Sequence, residues 1–221
     1  MADLLPHIEL STRPDPDATV IWLHGLGADG HDFEPIVPEL HLPDDLGIRF
    51  IFPHAPQIPV TINAGYVMPA WYDIYEMTIN RKVDTQGLRT SAAAIDAFID
   101  RELERGIDSR RIILAGFSQG GAVAYECALR HPKPLGGLMA LSTYFATADD
   151  IQRSETNARL PTFVGHGTFD PIVPEALGRN AAQELNRLGY PVEYKTYSME
   201  HSVHPEEIRD ISGWLQKLLK G

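Results

Sequence analysis

Six short apolar segments, separated by stretches with helical periodicity, limit the folds open to this chain more than any other feature. They occupy residues 18–23, 48–52, 111–115, 137–141, 161–165 and 192–197. Most of these segments are continuously apolar rather than alternating, which is typical of parallel strands that are covered on both faces. The pattern therefore predicts an α/β fold with a mainly parallel central sheet.

Four helical patterns accompany the apolar segments. They occupy residues 85–105, 119–130, 175–188 and 205–219. In the first pattern the apolar side chains fall on one stripe, and Gly106 follows it as a stop signal. Gly189 ends the third pattern in the same way. Because the chain shows no repeat and no change of composition, we expect helices on both faces of one sheet, in a single domain over residues 1–221.

The composition excludes several classes of protein. Among the 221 residues, 30 acidic side chains outnumber 19 basic ones and give a net charge of −11, which disfavours nucleic acid or an anionic membrane as the main partner. The only cysteine, Cys127, cannot form an internal disulfide. No apolar run approaches the roughly 20 residues of a membrane helix, and no signal peptide is visible. We therefore expect a cytoplasmic protein with no integral membrane association and no nucleic-acid partner.

A G-x-S-x-G motif follows the third apolar segment directly and leads into an Ala-rich helix. It runs from Gly116 to Gly120 and has Ser118 at its centre. Between a strand and a helix, this motif forms a sharp turn that exposes the serine hydroxyl, and its glycines let the two elements approach closely. The N-terminal end of the helix would stabilise an oxyanion beside the hydroxyl. We interpret Ser118 as a nucleophile rather than as part of an ordinary glycine-rich turn.

A serine nucleophile of this kind is followed in the chain by an acid and then by a histidine. Asp170 follows the fifth apolar segment, and His201 follows the sixth, so both are expected at the carboxyl ends of strands. Taken alone, Asp170 is equally typical of a turn before proline, but its place in this order favours the acid. His204 lies directly before the last helix, and we interpret it as a helix-entry residue rather than as the base.

A glycine-rich turn over residues 24–30 (HGLGADG) follows the first apolar segment. An oxyanion hole uses the N–H of the residue after the nucleophile, here Gln119, and a second N–H from an early strand-to-helix loop. The turn lies where that loop is needed. A phosphate-binding loop is excluded because the G-K-[ST] sequence is missing, and the lack of H-E-x-x-H and of paired cysteines gives no indication of a metal site.

Residues 53–80 break the alternation of strands and helices. This segment is rich in proline and aromatic residues and shows little periodicity. Long irregular segments in compact domains are often functional loops, but a packed excursion of the chain explains the segment equally well.

Several longer motifs together point to one family. They are WLHGLGADGHDF, PHAP, VTINAGYVMPAWYDI, ILAGFSQGGAVA, LSTY, HGTFDPIVP and MEHSV. The chain resembles the carboxylesterase/acyl-protein thioesterase family of α/β-hydrolases over nearly its whole length. Its VTINAGY and MPAWYDI blocks resemble the bacterial carboxylesterase branch. The resemblance implies an α/β-hydrolase fold, and a chain of this length leaves no room for a separate cap domain.

The resemblance carries five site residues over to this chain, namely the triad Ser118, Asp170 and His201 and the backbone oxyanion donors Leu26 and Gln119. It also assigns residues 53–80 to the acyl-binding side of the cleft, with Trp71 as a lining residue. From the sequence alone, Trp71 is equally well explained as a core aromatic. The resemblance further implies a homodimer and neither cofactor nor metal.

One residue departs from the family pattern. Glu200 stands directly before His201, where the family usually has an uncharged residue. Either this carboxylate favours the protonated form of His201, or it points to solvent and has little effect. The pH optimum is therefore not carried over with the triad.

The leading interpretation is a serine carboxylesterase that hydrolyses short to medium acyl esters of small molecules through an acyl-enzyme. The alternative is an acyl-protein thioesterase or a lysophospholipase, because the same triad serves all three reactions. A binding protein with the hydrolase fold and no activity is disfavoured, because every part of the triad and of the oxyanion turn is present.

Overall fold

A seven-stranded sheet forms the centre of the computed structural model, which describes residues 4–76 and 82–220. The strands are β1 (His7–Ser11), β2 (Ala18–Leu23), β3 (Ile48–Pro53), β4 (Gln57–Val60), β5 (Tyr66–Pro69), β6 (Ile112–Phe117), β7 (Gly137–Leu141), β8 (Thr162–Gly167) and β9 (Val192–Tyr197). The large sheet has the order β1-β3-β2-β6-β7-β8-β9. Only β1 runs antiparallel to its neighbour. The predicted mainly parallel sheet is confirmed.

Within the described residues, five α-helices cover the two faces of this sheet. They are α1 (Ile36–Glu39), α2 (Thr85–Glu104), α3 (Gln119–Arg130), α4 (Glu175–Arg187) and α5 (Pro205–Leu219). Successive side chains of a strand point to opposite faces. Accordingly, Ile21 and Leu23 of β2 pack in one core with α2, α3 and α4, whereas Val20 and Trp22 pack in a second core with α1 and α5. The prediction of helices on both faces is confirmed.

The structure differs from the sequence-based expectation near the chain start and within residues 53–80. Strand β1 was not predicted, because it lies at the sheet edge and alternates between half-buried and exposed residues. The segment expected to be irregular contains the antiparallel hairpin β4–β5. Proline and exposed side chains in both strands hide its periodicity. Residues 77–80 of this segment lie outside the described residues.

The carboxyl ends of the parallel strands meet at one edge of the sheet, where α/β proteins bind their ligands. The turn with Leu26 follows β2, Ser118 follows β6, and the loops that carry Asp170 and His201 follow β8 and β9. Strand order therefore brings together residues that are far apart in the chain. In the described ranges, no helix is both long and apolar enough to cross a membrane.

A buried carboxyl lies under the start of α5. Glu207 has no exposed surface, and a Cβ added to Gly165 of β8 would lie 2.2 Å from its Oε1, so the glycine makes room for the carboxyl. Burial raises the pKa of Glu207 to about 8, and the backbone N–H of His204 offsets only part of this effect. Glu207 is therefore mostly neutral at pH 7.

We expect Glu207→Gln to flatten the pH dependence of stability. Between about pH 4.5 and pH 8 the folded chain keeps a proton that the unfolded chain releases, so stability falls as pH rises, by up to about 1.4 kcal/mol per pH unit. Glutamine is neutral in both states and removes this contribution. Urea unfolding from pH 5 to pH 8 measures the slope, and the exposed neighbour Glu206→Gln serves as the matched control. Equal slopes for Glu207→Gln and the unaltered chain would contradict the prediction.

Candidate active site

Ser118 occupies a strained turn between β6 and α3. Its backbone has φ 53° and ψ −119°, a conformation that a residue with a side chain adopts only when its surroundings impose it. Its N–H donates to the carbonyl of Leu141 at 2.9 Å, and its carbonyl accepts from the hydroxyl of Thr143 at 2.6 Å. These bonds to the end of β7 and the residues after it hold the serine at the N-terminal end of α3.

The two glycines of the motif are required by close backbone contacts. A Cβ added to Gly116 would lie 2.4 Å from the carbonyl oxygen of Gly120, and one added to Gly120 would lie 2.5 Å from the carbonyl oxygen of His24. Real Cβ atoms do not approach backbone this closely. The turn therefore brings β6, α3 and the end of β2 into direct contact around Ser118.

Asp170 and His201 form a hydrogen-bonded pair. Nδ1 of His201 lies 2.6 Å from Oδ2 of Asp170. The other carboxylate oxygen accepts from the backbone N–H groups of Ile172 at 2.9 Å and Val173 at 2.8 Å. The bond to Nδ1 leaves Nε2 of His201 as the nitrogen that can exchange a proton with a nucleophile.

The acid is kept ionised by its partners. Burial alone would raise the pKa of Asp170, but the hydrogen bonds from His201, Val173 and Ile172 outweigh it, and the pKa lies below its ordinary value. A second buried imidazole, that of His166, lies 3.6 Å from the same carboxylate and donates through Nε2 to the carbonyl of Val173. The carboxylate is therefore anionic and fixed in direction at neutral pH.

The loops that carry the acid and the histidine are joined to each other and to the serine turn. The N–H of Phe169 donates to the carbonyl of Met199 at 3.1 Å, which links the two loops by backbone. The imidazole of His201 packs on the ring of Phe117, with 4.7 Å between ring centroids. Because Phe117 directly precedes Ser118, this contact places the histidine beside the serine turn.

His204 has a different place. It is the N-cap residue of α5, and its Nδ1 accepts from the N–H of Glu206 at 3.2 Å. It therefore lies where the sequence predicted a helix-entry residue. Glu200 is exposed, and among the ion pairs of the described residues none joins it to His201. The side chain of Glu200 is therefore open to solvent, and its effect on His201 stays a prediction.

The two expected oxyanion donors lie on either side of the serine. Gln119 is the first residue of α3, so its N–H has no acceptor within the helix. On the other side, a Cβ added to Gly25 would lie 3.5 Å from the Cβ of Ser118, and the next residue, Leu26, lines the same cleft as Ser118. The backbone of Leu26 and that of Gln119 thus both lie beside Ser118.

A small, mostly apolar cleft opens at Ser118. Its lining residues are Leu26, Tyr72, Ile74, Ser118, Gln119, Tyr144, Ile172 and Val173. The sequence indicated Leu26, Ser118 and Gln119 individually, and Tyr72 and Ile74 lie in residues 53–80, which the resemblance assigns to the acyl-binding side of the cleft. The others are single apolar or aromatic residues in loops, and such residues show no pattern by which sequence could identify them. The apolar lining suits an acyl chain.

Trp71 lies behind this cleft rather than among its lining residues. It is 2% exposed, its indole N–H donates to the carbonyl of His24 at 2.9 Å, and its backbone N–H donates to Oε1 of Gln119 at 2.9 Å. The side chain of Gln119 also donates to the carbonyl of Tyr72. The lining role of Trp71 stays a prediction, and its contacts show that it joins residues 53–76 to the two turns of the site.

Metal ligands are not gathered at this site. In the part of the chain that the structure describes, no three His, Cys, Asp or Glu side chains are grouped so that they would hold a metal ion. The residues present instead offer a hydroxyl, an imidazole, a carboxylate and two N–H groups. Groups of these kinds are the ones used in nucleophilic acyl transfer.

Comparison with known proteins gives similarities over almost the whole chain. Residues 6–219 match a family described as phospholipase/carboxylesterase. The acyl-protein thioesterase 1 of Gibberella zeae is 38% identical over 213 residues, which cover 91% of both chains. Among solved structures, acyl-protein thioesterase 2 of Zea mays has a TM-score of 0.86 at 28% identity and covers 97% of this chain and 99% of its own. The carboxylesterase of Bacillus cereus shares the fold, with a TM-score of 0.79 at 17% identity and coverage of 98% and 96%.

Proposed function

We propose that this chain, which belongs to the phospholipase/carboxylesterase family, acts as an acyl-protein thioesterase. The family and the α/β-hydrolase fold expected from the sequence are confirmed. The chain is a serine-dependent hydrolase of carboxylic esters, as its family membership establishes. Beyond this, we propose the roles of individual residues and the kind of ester that is cleaved.

The hydrogen bond of 2.6 Å between His201 and Asp170, beside the strained serine turn, is the observation that carries the proposed mechanism. In the first half, Nε2 of His201 takes the proton of Ser118 as Oγ attacks the acyl carbonyl carbon. The carbonyl oxygen becomes an oxyanion and is bound by the N–H groups of Leu26 and Gln119. The anionic Asp170 stabilises the imidazolium that forms.

The second half returns the enzyme to its starting state. The bond from carbon to sulfur breaks, and the imidazolium of His201 gives its proton to the leaving thiol. The acyl group remains on Ser118 as an ester. Water then loses a proton to His201 and attacks this ester, and the protonated His201 reprotonates Oγ as the acid leaves. An oxygen ester follows the same steps with an alcohol as the leaving group.

The names of the relatives favour a thioester as the substrate. The leading interpretation of the sequence was an oxygen ester with a short to medium acyl chain. A curated relative with 38% identity over 91% of the chain is named an acyl-protein thioesterase, and a solved relative at 28% identity carries the same activity in its name. The apolar cleft and the exposed side chains of Phe169 and Ile172 beside Asp170 are suited to an acyl chain that enters from solvent. An acyl-protein thioesterase is thus better supported than a carboxylesterase for short to medium acyl esters.

A chain-length series distinguishes the candidate substrates. We expect kcat/KM to be higher for an S-acyl cysteine peptide than for a p-nitrophenyl ester of the same acyl chain after correction for the uncatalysed rates, and to rise with chain length. The apolar lining contributes about 0.8 kcal/mol for each buried methylene, which is about a fourfold gain per methylene until the cleft is full. A maximum at acetyl or butyryl oxygen esters would instead support the carboxylesterase, and a preference for lysophospholipid micelles would support the lysophospholipase.

We also propose that residues 1–221 form one catalytic domain that works as a cytoplasmic homodimer. The family resemblance supports the dimer, and a free, buried Cys127 is compatible with a reducing compartment. Sedimentation equilibrium tests the dimer, and a monomer at micromolar concentration would contradict it. Cell fractionation tests the compartment.

A further inference from the structure

His24 is a buried imidazole whose two ring nitrogens both contact backbone groups. It follows β2 and is 1% exposed. Its Nδ1 lies 2.7 Å from the carbonyl oxygen of Gly25, and its Nε2 lies 3.1 Å from the backbone nitrogen of Ala55. A carbonyl only accepts and an amide N–H only donates, so Nδ1 carries the proton and Nε2 does not. The two contacts therefore select one neutral tautomer of the ring.

The position of His24 is fixed from a second side. Its own carbonyl accepts from the indole N–H of Trp71 at 2.9 Å, and the two rings pack with centroids 5.1 Å apart. Burial lowers the pKa of His24 and so favours the same neutral state. The mechanism described above uses neither nitrogen of this ring, although the residue lies in the turn that carries Leu26.

The contact with Gly25 determines where the next N–H points. The C=O and N–H of a trans peptide point in opposite directions, and the peptide between Gly25 and Leu26 is trans. Because the carbonyl of Gly25 points to the imidazole, the N–H of Leu26 points away from it. This peptide lies against Ser118, since a Cβ on Gly25 would be 3.5 Å from the Cβ of the serine.

We infer that His24 is a positioning residue for the oxyanion hole, whose Nδ1–H holds the Gly25–Leu26 peptide in the orientation that aims the N–H of Leu26 at the oxyanion. The inference rests on the proposed function, in which Leu26 is one of two donors. The turn contributes a second, longer hydrogen bond, because the backbone N–H of Ala28 donates to the same carbonyl of Gly25 at 3.3 Å. The imidazole supplies the shorter bond, and it is the one held in place by Trp71.

Two substitutions separate this role from a purely structural one. His24→Asn keeps an amide donor near the position of Nδ1 but lacks an acceptor for Ala55. His24→Gln keeps an acceptor near the position of Nε2 but lacks the donor to Gly25. A buried N–H without an acceptor destabilises the fold, whereas the carbonyl of Gly25 still accepts from Ala28. We therefore expect the asparagine variant to have the lower Tm and the glutamine variant to have the lower kcat.

The measurement uses p-nitrophenyl acetate, because an oxyanion forms with any ester and the result does not depend on the natural substrate. We expect His24→Gln to lower kcat roughly 10- to 100-fold with little change in KM, a part of what losing one oxyanion donor costs. The Ki of a trifluoromethyl ketone, whose hemiketal oxygen mimics the oxyanion, should rise by the same factor. His24→Asn should retain most of both.

Several results would overturn the inference. The first is a lower kcat in the variant with the lower Tm, which would make the asparagine variant slower than the glutamine variant. Another is an unchanged Ki for the ketone in His24→Gln. If Ser118→Ala keeps its turnover, the proposed function fails as well. If Ser118→Ala is inactive and His24→Gln is as fast as the unaltered chain, only the inference about His24 fails.

Discussion

Ser118→Ala is expected to lower kcat for p-nitrophenyl esters and for thioesters by a factor on the order of 10⁴ to 10⁶, and to abolish labelling by a fluorophosphonate probe. The substitution removes Oγ of Ser118, the atom that forms the bond to the acyl group. Alanine is smaller than serine and has the same backbone freedom, so the turn at φ 53° and its bonds to Leu141 and Thr143 are retained. The loss should therefore appear in kcat, while Tm stays close to that of the unaltered chain.

Ser198→Ala is the matched control, because Ser198 is exposed and lies on the loop that leads to His201. It should leave turnover and probe labelling unchanged. Active-site titration with the fluorophosphonate, followed by mass spectrometry of the labelled peptide, measures both variants. A Ser118→Ala protein that still binds the probe covalently would show that another residue is the nucleophile.

Asp170→Asn is expected to lower kcat by about 10⁴ with little change in KM, the size of effect known from the corresponding substitution in serine proteases. The geometry of the acid loop explains why the effect should be so large. One carboxylate oxygen accepts from the N–H groups of Ile172 and Val173. These two donors require an acceptor, so the amide oxygen of asparagine takes this place.

The amide NH₂ group is then forced toward His201. There it donates to Nδ1, which the carboxylate oxygen contacted at 2.6 Å in the unaltered chain. The imidazole must then carry its proton on Nε2, where it can no longer take the proton of Ser118. The variant keeps the shape of the site and has the wrong tautomer.

Steady-state kinetics at pH 7 with Tm as a second readout test this prediction. Glu200→Gln is the matched control, because it neutralises an exposed carboxylate directly beside His201 and should change kcat little. A loss below tenfold in Asp170→Asn would indicate that Asp170 is not the acid. An equal loss in Glu200→Gln would indicate that the charge near His201, rather than the tautomer, is what matters.

The main elements of the fold could be predicted from the sequence because their signals are local. Strands such as β2 and β6 are continuous apolar runs buried on both sides, and Gly106, with φ 90°, follows the C-cap of α2. The hairpin β4–β5 could not be predicted in this way. Its strands have four residues each, and half of these residues are exposed. Neither burial nor alternation therefore leaves a regular pattern, although Val60 lies in the core and Ile58 and Met68 pack against it.

The nucleophile turn and the chain order of the residues proposed for catalysis could be predicted from the sequence alone. A serine between two glycines, placed between a strand and a helix, identifies the turn locally, because a Cβ at Gly116 would meet the backbone of Gly120 four residues further on. The positions of Asp170 and His201 directly after later strands were also predicted from the apolar segments that precede them. These inferences depend on contacts within a few residues or on the chain order alone.

Folding, and no local sequence pattern, determines which groups come together at the site. It placed His201 rather than His204 against the acid, joined Trp71 to the backbone of His24 and the side chain of Gln119, and fixed the tautomer of His24 through a residue 31 positions away. The reason is that hydrogen bonds and packing between distant residues depend on where the strand ends come together. The sequence shows which chemical groups are available. The direction in which each N–H, carbonyl or ring points depends on neighbouring residues that come close only in the folded protein.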